Sequence, residues 1–417
     1  MKARIHYGWY IVGAGFLCIF ACLGLGRFAL GMLLPSMGSS LDLSYSQMGL
    51  ISTVNFVGYL IAVLACGPLA ERFGPRKVVT GSLLLIGFSM ILVGRVADLW
   101  LIIVLYCLTG LGSGAANVPM MALVSAWFSP EKRGRGTGFV VIGSGFAFLL
   151  CGWLIPFVNA AAGAEGWRTS WLLLGIAVLV VGLVCYLVLR DSPAEMGLVP
   201  YGMSRERHAA ETRAPARPLD LFRVVHMGAL YFLFGLTYVI YVTFIVTSLI
   251  QDRGFSEAAA GRAWSWIGLL SILSGPVFGT LSDRLGRRFA LVLVFTTQAA
   301  AYLLAALDLP TVFLYLSIAA FGIVAWSVPS IMAALVGDTV GPEKAARIFG
   351  FITFALGIGQ ILGPAGAGWL AEKTGSFQAA FAAAAAFALL AAILSAFFRP
   401  APKSISDFDQ DGAGEEA

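Results

Sequence analysis

The sequence predicts an all-α integral membrane protein, with twelve transmembrane helices forming two pseudo-symmetric six-helix bundles. Three observations carry that prediction. Hydrophobic residues make up 59% of the 417 and charged residues only 12%, with a mean hydropathy of +0.88, far more apolar surface than one soluble core buries. The apolar runs have the length of a bilayer crossing, since a hydrocarbon core of about 30 Å takes roughly 20 helical residues. The second half of the chain also repeats the first at one constant offset.

Apolar runs between charged or Gly/Pro-rich breaks place spans at 8–36, 45–70, 77–96, 99–127, 135–159 and 168–190. The second set lies at 220–249, 257–281, 288–306, 310–337, 345–370 and 376–398. The first run is too long for a signal-peptide core and lacks a small-residue cleavage site, so it is retained as a span. The domains expected are an N-terminal bundle over 1–190, a polar, flexible cytoplasmic linker over 191–219, a C-terminal bundle over 220–398 and a disordered acidic tail over 399–417. The six cysteines all fall inside spans, without metal-type or redox-type spacing, and read as packing residues.

Net charge is +5, but its placement excludes a nucleic-acid surface. Most Lys and Arg lie in the amino-terminal segment, alternate loops and the tail, the positive-inside pattern of a multi-pass protein of the bacterial cytoplasmic membrane with both termini in the cytoplasm.

The repeat has a single offset of 212 residues. It takes Ser44 and Gly49 to Ser256 and Gly261, Glu71 to Asp283, and Gly67, Arg72, Gly74 and Arg76 to Gly279, Arg284, Gly286 and Arg288. It also carries Met120 to Met332 and Arg135 to Arg347. One register through charged loops is not a product of biased composition. With an even number of helices per half, both copies enter from the same side, a parallel repeat about an axis along the membrane normal.

The loop Gly67-Pro-Leu-Ala-Glu-Arg-Phe-Gly-Pro-Arg-Lys77 and its copy Gly279-Thr-Leu-Ser-Asp-Arg-Leu-Gly-Arg-Arg288 resemble the signature loop of the major facilitator superfamily. The resemblance implies two six-helix bundles around a central cavity, working by alternating access. It makes Glu71, Arg72, Arg76, Asp283, Arg284 and Arg288 gating residues, which would pair with opposing helix ends and with each other to hold one face shut. Tyr7-Gly8-Trp9-Tyr10 and Ser192-Pro-Ala-Glu-Met-Gly-Leu-Val-Pro200 look like bacterial monocarboxylate and oxalate/formate transporters. Gly24-Leu-Gly-Arg-Phe28 looks like an uncharacterised bacterial facilitator group.

Departures narrow these likenesses. The carboxylate groups imply a helix-8 arginine where this chain has Gly275, an aspartate where it has Ser271, and, for dicarboxylate exchange, a helix-11 lysine where it has Leu356. A doubly charged substrate such as oxalate is disfavoured. The helix-4 arginine of proton-coupled drug exporters is replaced by Tyr106.

Within the spans, Arg27 is the outstanding residue, deep in the first helix among Gly24, Gly26 and Gly31, with no acid at a helical spacing. A charge at the bilayer centre costs about 2.5–3.5 kcal/mol on insertion scales, so Arg27 needs a wet cavity or a partner. A planar guanidinium suits a carboxylate or phosphate; the alternative is a structural arginine bonded to broken-helix carbonyls. Arg262 reads as a cavity-rim residue. Asn55 and Asn117 either line the cavity or bond a neighbouring helix. Tyr231, Phe234, Tyr238 and Tyr241 share a face of the seventh span. Trp264 and Trp326 supply apolar walls, with Trp264 and Trp266 pointing about 200° apart, and Gln360 is an orienting amide. Pro119 and Pro329 should bend the fourth and tenth spans.

The function expected is secondary transport of a small organic anion, a monocarboxylate, by a monomer in the lipid bilayer. Proton coupling is open and no cofactor or metal is expected. The alternative is export of a neutral or amphipathic metabolite or drug. No Asp or Glu lies near the middle of a span, which disfavours cation transport. An embedded enzyme finds little support, since the sequence offers no His-Glu metal motif, intramembrane carboxylate pair or placed nucleophile and base.

Overall fold

A computed structural model describes residues 6–203, 220–340 and 342–398; the tail and most of the expected linker lie outside the described residues. Among the described residues, with one bent pair taken as a single span, twelve helical crossings run, the first six being α1 Gly8–Leu41, α2 Tyr45–Phe73, α3 Pro75–Val93, α4 Leu99–Ala126, α5 Pro130–Ala162 and α6 Gly166–Val188. The second bundle has α7 Leu221–Gln251, α8 Glu257–Leu285, α9 Arg287–Ala306, α10 Thr311–Val340, α11 Pro342–Thr374 and α12 Gln378–Ala396. The α8 crossing is a pair of helices, Glu257–Ser271 and Ser274–Leu285, bent by 40°.

Local chemistry starts and stops these helices. Ser44 and Gln47 form a reciprocal capping box on α2, and Ser256, its copy at the repeat offset, caps α8 through the Ala259 N–H. The signature loops are tighter than a loop reading suggests. Glu71-Arg72 and Asp283-Arg284 belong to the last turns of α2 and α8, and the chain reverses at Gly74 (φ 85°) and Gly286 (φ 91°). Both glycines hold the positive φ that L-residues avoid.

Two second-half helices break together. α10 pauses between Val324 and Ser327, just before Pro329, whose ring clashes with the carbonyl of Ala325 four residues back. The freed Trp326 N–H donates to Ser274 Oγ at 3.1 Å, at the break of α8, and Ser327 Oγ donates to the Ser274 carbonyl at 3.2 Å. By contrast α4 runs unbroken through Pro119.

The halves meet through α2 against α11 and α5 against α8. Their contact is backbone-close at the end opposite the linker: a β-carbon on Gly49 would lie 2.5 Å from the Pro364 carbonyl oxygen, and one on Gly261 would overlap that of Gly152. Hydrogen bonds across the seam concentrate there and at mid-depth. Ser46 N–H donates to Glu372 (3.2 Å), Thr53 Oγ1 to the Ile361 carbonyl (3.2 Å), Ser265 Oγ to the Leu149 carbonyl (3.1 Å) and Asn159 to Glu257. Toward the linker the halves part. On α2, residues 51–58 are buried apart from Val54 and Val57, whereas only Ala62 and Cys66 are buried across 61–73.

The start of the expected flexible linker is folded. Pro193–Met196 is a 3-10 turn, Tyr201 N–H donates to the Trp127 carbonyl at 2.8 Å, and its ring packs among Trp9, Phe128 and His6. The aromatic side chains, invisible to a polarity reading of 191–203, anchor it.

Candidate functional site

Arg27 lies in a nine-residue π-helical segment of α1, Phe20–Phe28. Such a segment adds a residue per turn and leaves backbone groups unsatisfied, a geometry found at functional sites. Neighbouring helices take up the freed carbonyls: Ser113 Oγ donates to the Cys22 carbonyl at 2.7 Å, and Tyr106 Oη to that of Arg27 at 2.9 Å. Gly24 and Gly26 bring this stretch against Ala147 on one side and against Ile86 and Ser113 on the other.

The Arg27 side chain is buried at 6% exposure. Its guanidinium carbon lies 3.9 Å from the Phe56 ring centroid and 4.3 Å from that of Tyr59, cation–π contacts worth about 0.5–2 kcal/mol each. Nη2 donates to Gln360 Oε1 at 3.0 Å, while Nε has no partner. No ion pair to Arg27 occurs among the described residues.

Because arginine only donates, Gln360 must turn its carbonyl oxygen toward Arg27 and its NH2 outward, where it donates to Tyr238 Oη at 2.6 Å. On the other flank, Asn117 Nδ2 donates to Tyr59 Oη at 2.8 Å. A polar chain therefore crosses the seam in the order Asn117, Tyr59, Arg27, Gln360, Tyr238, contributed by α4, α2, α1, α11 and α7. Beside it, Arg27, Asn55, Tyr106, Ser52 and Thr243 line a cavity of about 10 Å³, room for about one water.

Asn55 Nδ2 donates to the Tyr106 carbonyl at 3.1 Å, tying α2 to α4; the residue also borders the cavity, and its buried Oδ1 has no partner. An aromatic wall adjoins: Phe148 stacks on Trp264 at 4.6 Å, Phe28 lies 5.4 Å from Trp326, and Trp326 lies 5.9 Å from Tyr238. The indole N–H groups of Trp264 and Trp326 are buried without partners. Trp266 points outward and is exposed.

Two expected site residues lie elsewhere. Tyr241 donates to or accepts from Ser317 Oγ at 2.8 Å and packs on Phe321, inside the second bundle. Tyr231, Phe234 and Tyr238 stack in sequence, whereas Tyr241, only about 20° in helical phase from Phe234, is taken up by Tyr302, Phe321 and Phe381 of the same half. Arg262 is exposed on the outside of the bundle, in a lateral groove, since it lies two residues before Trp264 and so on nearly the opposite face of α8.

Among the described residues, the six signature-loop residues expected to gate form no bond between the halves. Arg76 stays within the first half, its N–H donating to Asp191 Oδ1 at 2.7 Å and its Nε to the Tyr186 carbonyl at 2.8 Å. Asp283 pairs with Arg287, which also bonds Asp338 at 2.9 Å, all within the second half. Glu71, Arg72, Arg284 and Arg288 are exposed.

Sequence reasoning missed Phe56, Tyr59 and Tyr106, which cradle Arg27. The signal available was Phe56 and Tyr59 on the face of α2 that also carries Asn55.

The family model described as "Uncharacterised MFS-type transporter YbfB" matches residues 19–396. Among curated proteins, the chain is 26% identical to the "Probable sulfoacetate transporter SauU" of Cupriavidus necator over 96% of each chain. It is 24% identical to the hexuronate transporter of Bacillus subtilis, covering 90% of this chain and 91% of that one. Among solved structures, a bacterial homologue of the human lysosomal transporter Spinster, described as inward-facing and occupied, aligns with a TM-score of 0.74 at 16% identity, covering 94% of this chain and 97% of that one. The chain thus belongs to the MFS-type transporter family, a multi-pass membrane transporter of the major facilitator superfamily and not an enzyme.

Proposed function

We propose that this protein is a secondary transporter of a small organic anion, a monocarboxylate, with Arg27 as the counter-charge. The observation that carries the reading is a buried guanidinium at the seam of the two halves, held by an amide and two aromatic rings and by no carboxylate among the described residues. One fixed positive charge is balanced by one negative charge. The sulfoacetate and hexuronate of the relatives' names both bear a carboxylate, sulfoacetate with a sulfonate besides, so they support an organic anion more directly than a single charge.

The geometry supplies a mechanism. Nε and Nη2 share one edge of the guanidinium, and a carboxylate gripping that edge takes the unpartnered Nε and competes with Gln360 for Nη2. Arg27 belongs to the first half and Gln360 to the second, so exchange of this bond for one to substrate changes what holds the halves together. Asn117, through Tyr59, and Tyr238, through Gln360, position the two partners. Asn55 offers a further polar contact, and Trp264 and Trp326 form the apolar wall.

With the linker end in the cytoplasm of a bacterial cell, as the placement of Lys and Arg supports, the conformation is inward-facing: parted at the linker, closed at the far end. Glu71, Arg72, Arg76, Asp283, Arg284 and Arg288 gate the cytoplasmic face when the halves approach there.

The aromatic wall favours a second reading, export of a neutral or amphipathic compound. A thermal-shift screen of purified protein against carboxylates, sugars, amino acids and drugs, repeated with Arg27→Ala, separates the two. The anion reading expects a monocarboxylate hit lost in the variant. A neutral hit retained by Arg27→Ala, with no carboxylate hit, overturns it.

A further inference from the structure

Outside the central site a lateral groove of about 720 Å³ lies on the α5–α8 seam. Its walls come from both halves: Phe16 and Phe20 of α1 and Phe146, Leu149 and Trp153 of α5 face Trp266 and Leu269 of α8. Trp153, Trp266, Leu269 and Phe146 are exposed there, in a segment long and apolar enough to cross a membrane, so the groove opens sideways toward lipid tails and not into the central cavity.

The groove is apolar along its length but for one end. Arg262 stands there, five residues into α8 from Glu257, or about 7.5 Å from the start of the helix. A long cationic side chain at that depth reaches the headgroup level. Arg262 is exposed and has no hydrogen-bond or ion-pair partner among the described residues. The Ser265 hydroxyl, also lining the groove, is spent on the Leu149 carbonyl at 3.1 Å. A cation at the polar rim above an apolar trench has the charge and shape complement of an anionic phospholipid, with a phosphate on the guanidinium and an acyl chain against Trp266, Leu269 and Trp153.

We infer that this groove is a binding site for one anionic phospholipid, and that the lipid stabilises the conformation in which α5 and α8 are closed at the far end. The second half follows from the walls. Gly152 and Gly261 meet backbone to backbone beside the groove, and a lipid lying on α1, α5 and α8 together touches both halves only while that contact is made. This inference does not depend on the identity of the transported substrate.

The test uses purified full-length protein with phosphatidylglycerol and phosphatidylcholine of identical acyl chains, read by native mass spectrometry and by thermal midpoint. One retained phosphatidylglycerol is expected, bound about five-fold tighter than phosphatidylcholine, the discrimination one surface arginine provides, with a higher midpoint. Arg262→Gln should erase the headgroup preference and Arg262→Lys keep it. Leu269→Trp, which fills the trench without touching the charge, should lose the retained lipid. Equal binding of the two lipids by wild type, a preference that survives Arg262→Gln, or a lipid still retained by Leu269→Trp each overturns the proposal. Because uptake is not the readout, failure here leaves the anion-transport reading intact, and the reverse.

Discussion

Replacing Arg27 with Gln should weaken anion binding severely while changing the stability of the fold little, and that contrast makes the experiment decisive. In the substrate-free protein the guanidinium is buried, with one hydrogen bond of 3.0 Å to a neutral amide and two aromatic faces at 3.9 and 4.3 Å. One charge-assisted hydrogen bond contributes about 1.5–3 kcal/mol and each cation–π contact about 0.5–2 kcal/mol. Against them stands the cost of a charge at mid-bilayer, about 2.5–3.5 kcal/mol on insertion scales, with Nε unpartnered besides. The favourable terms exceed that cost by only about 2 kcal/mol at mid-range, so loss of the charge lowers the thermal midpoint by no more than a few degrees. An anion bound to Arg27 loses a buried, hydrogen-bonded charge pair, a change of about 2–5 kcal/mol, or roughly 30- to 5,000-fold in affinity. The assay is uptake of radiolabelled monocarboxylates into proteoliposomes, beside thermal melting of the same preparations. Unchanged uptake of every anion in Arg27→Gln would refute the assignment. So would a collapse of the thermal midpoint accompanying the loss, since that is the signature of an arginine whose work is structural.

Gln360→Leu removes the group that competes with substrate for Arg27 Nη2 while leaving the charge, and should lower KM about five- to ten-fold, the worth of one net hydrogen bond; an unaltered KM tells against that competition. Gly261→Val places side-chain carbons against the Gly152 carbonyl and should force the far end apart, making a reporter cysteine at Ser52 react faster with a membrane-impermeant maleimide, whereas equal reactivity would show that the glycine contact does not close that end. Ser274→Ala strips the acceptor from the half-buried Trp326 N–H and should destabilise the protein by about 1 kcal/mol, seen as a lower thermal midpoint; an unshifted midpoint would mean that the α8 and α10 breaks are not joined through this serine.

Much of the site's membership, though not its wiring, was legible in the sequence. Arg27, Gln360, Tyr238 and Asn117 stand out as polar residues inside apolar runs, where each must find a partner, and the structure joins them in one chain. Phe56 and Tyr59 carried only a faint mark, a shared face with Asn55, because aromatic residues in a lipid-facing composition do not show which face is inward until the neighbouring helix is known. Tyr241 and Arg262 mislead for the same reason: spacing fixes the angle between residues on one helix but not which angle points inward.

The sequence by itself determined that this chain crosses a membrane about twelve times and that its halves are copies, because hydropathy and repeat register are properties of the chain read in order. It also determined that one permanent charge lies inside the membrane without an acid on its own helix. The tertiary structure alone decided what meets that charge. The π segment of α1 shifts the phase of every residue after Phe20, and the partners of Arg27 come from α2 and, across the seam, from α11. Those neighbours depend on how close the glycine-lined helix faces approach, which is set by contacts between residues far apart in the chain.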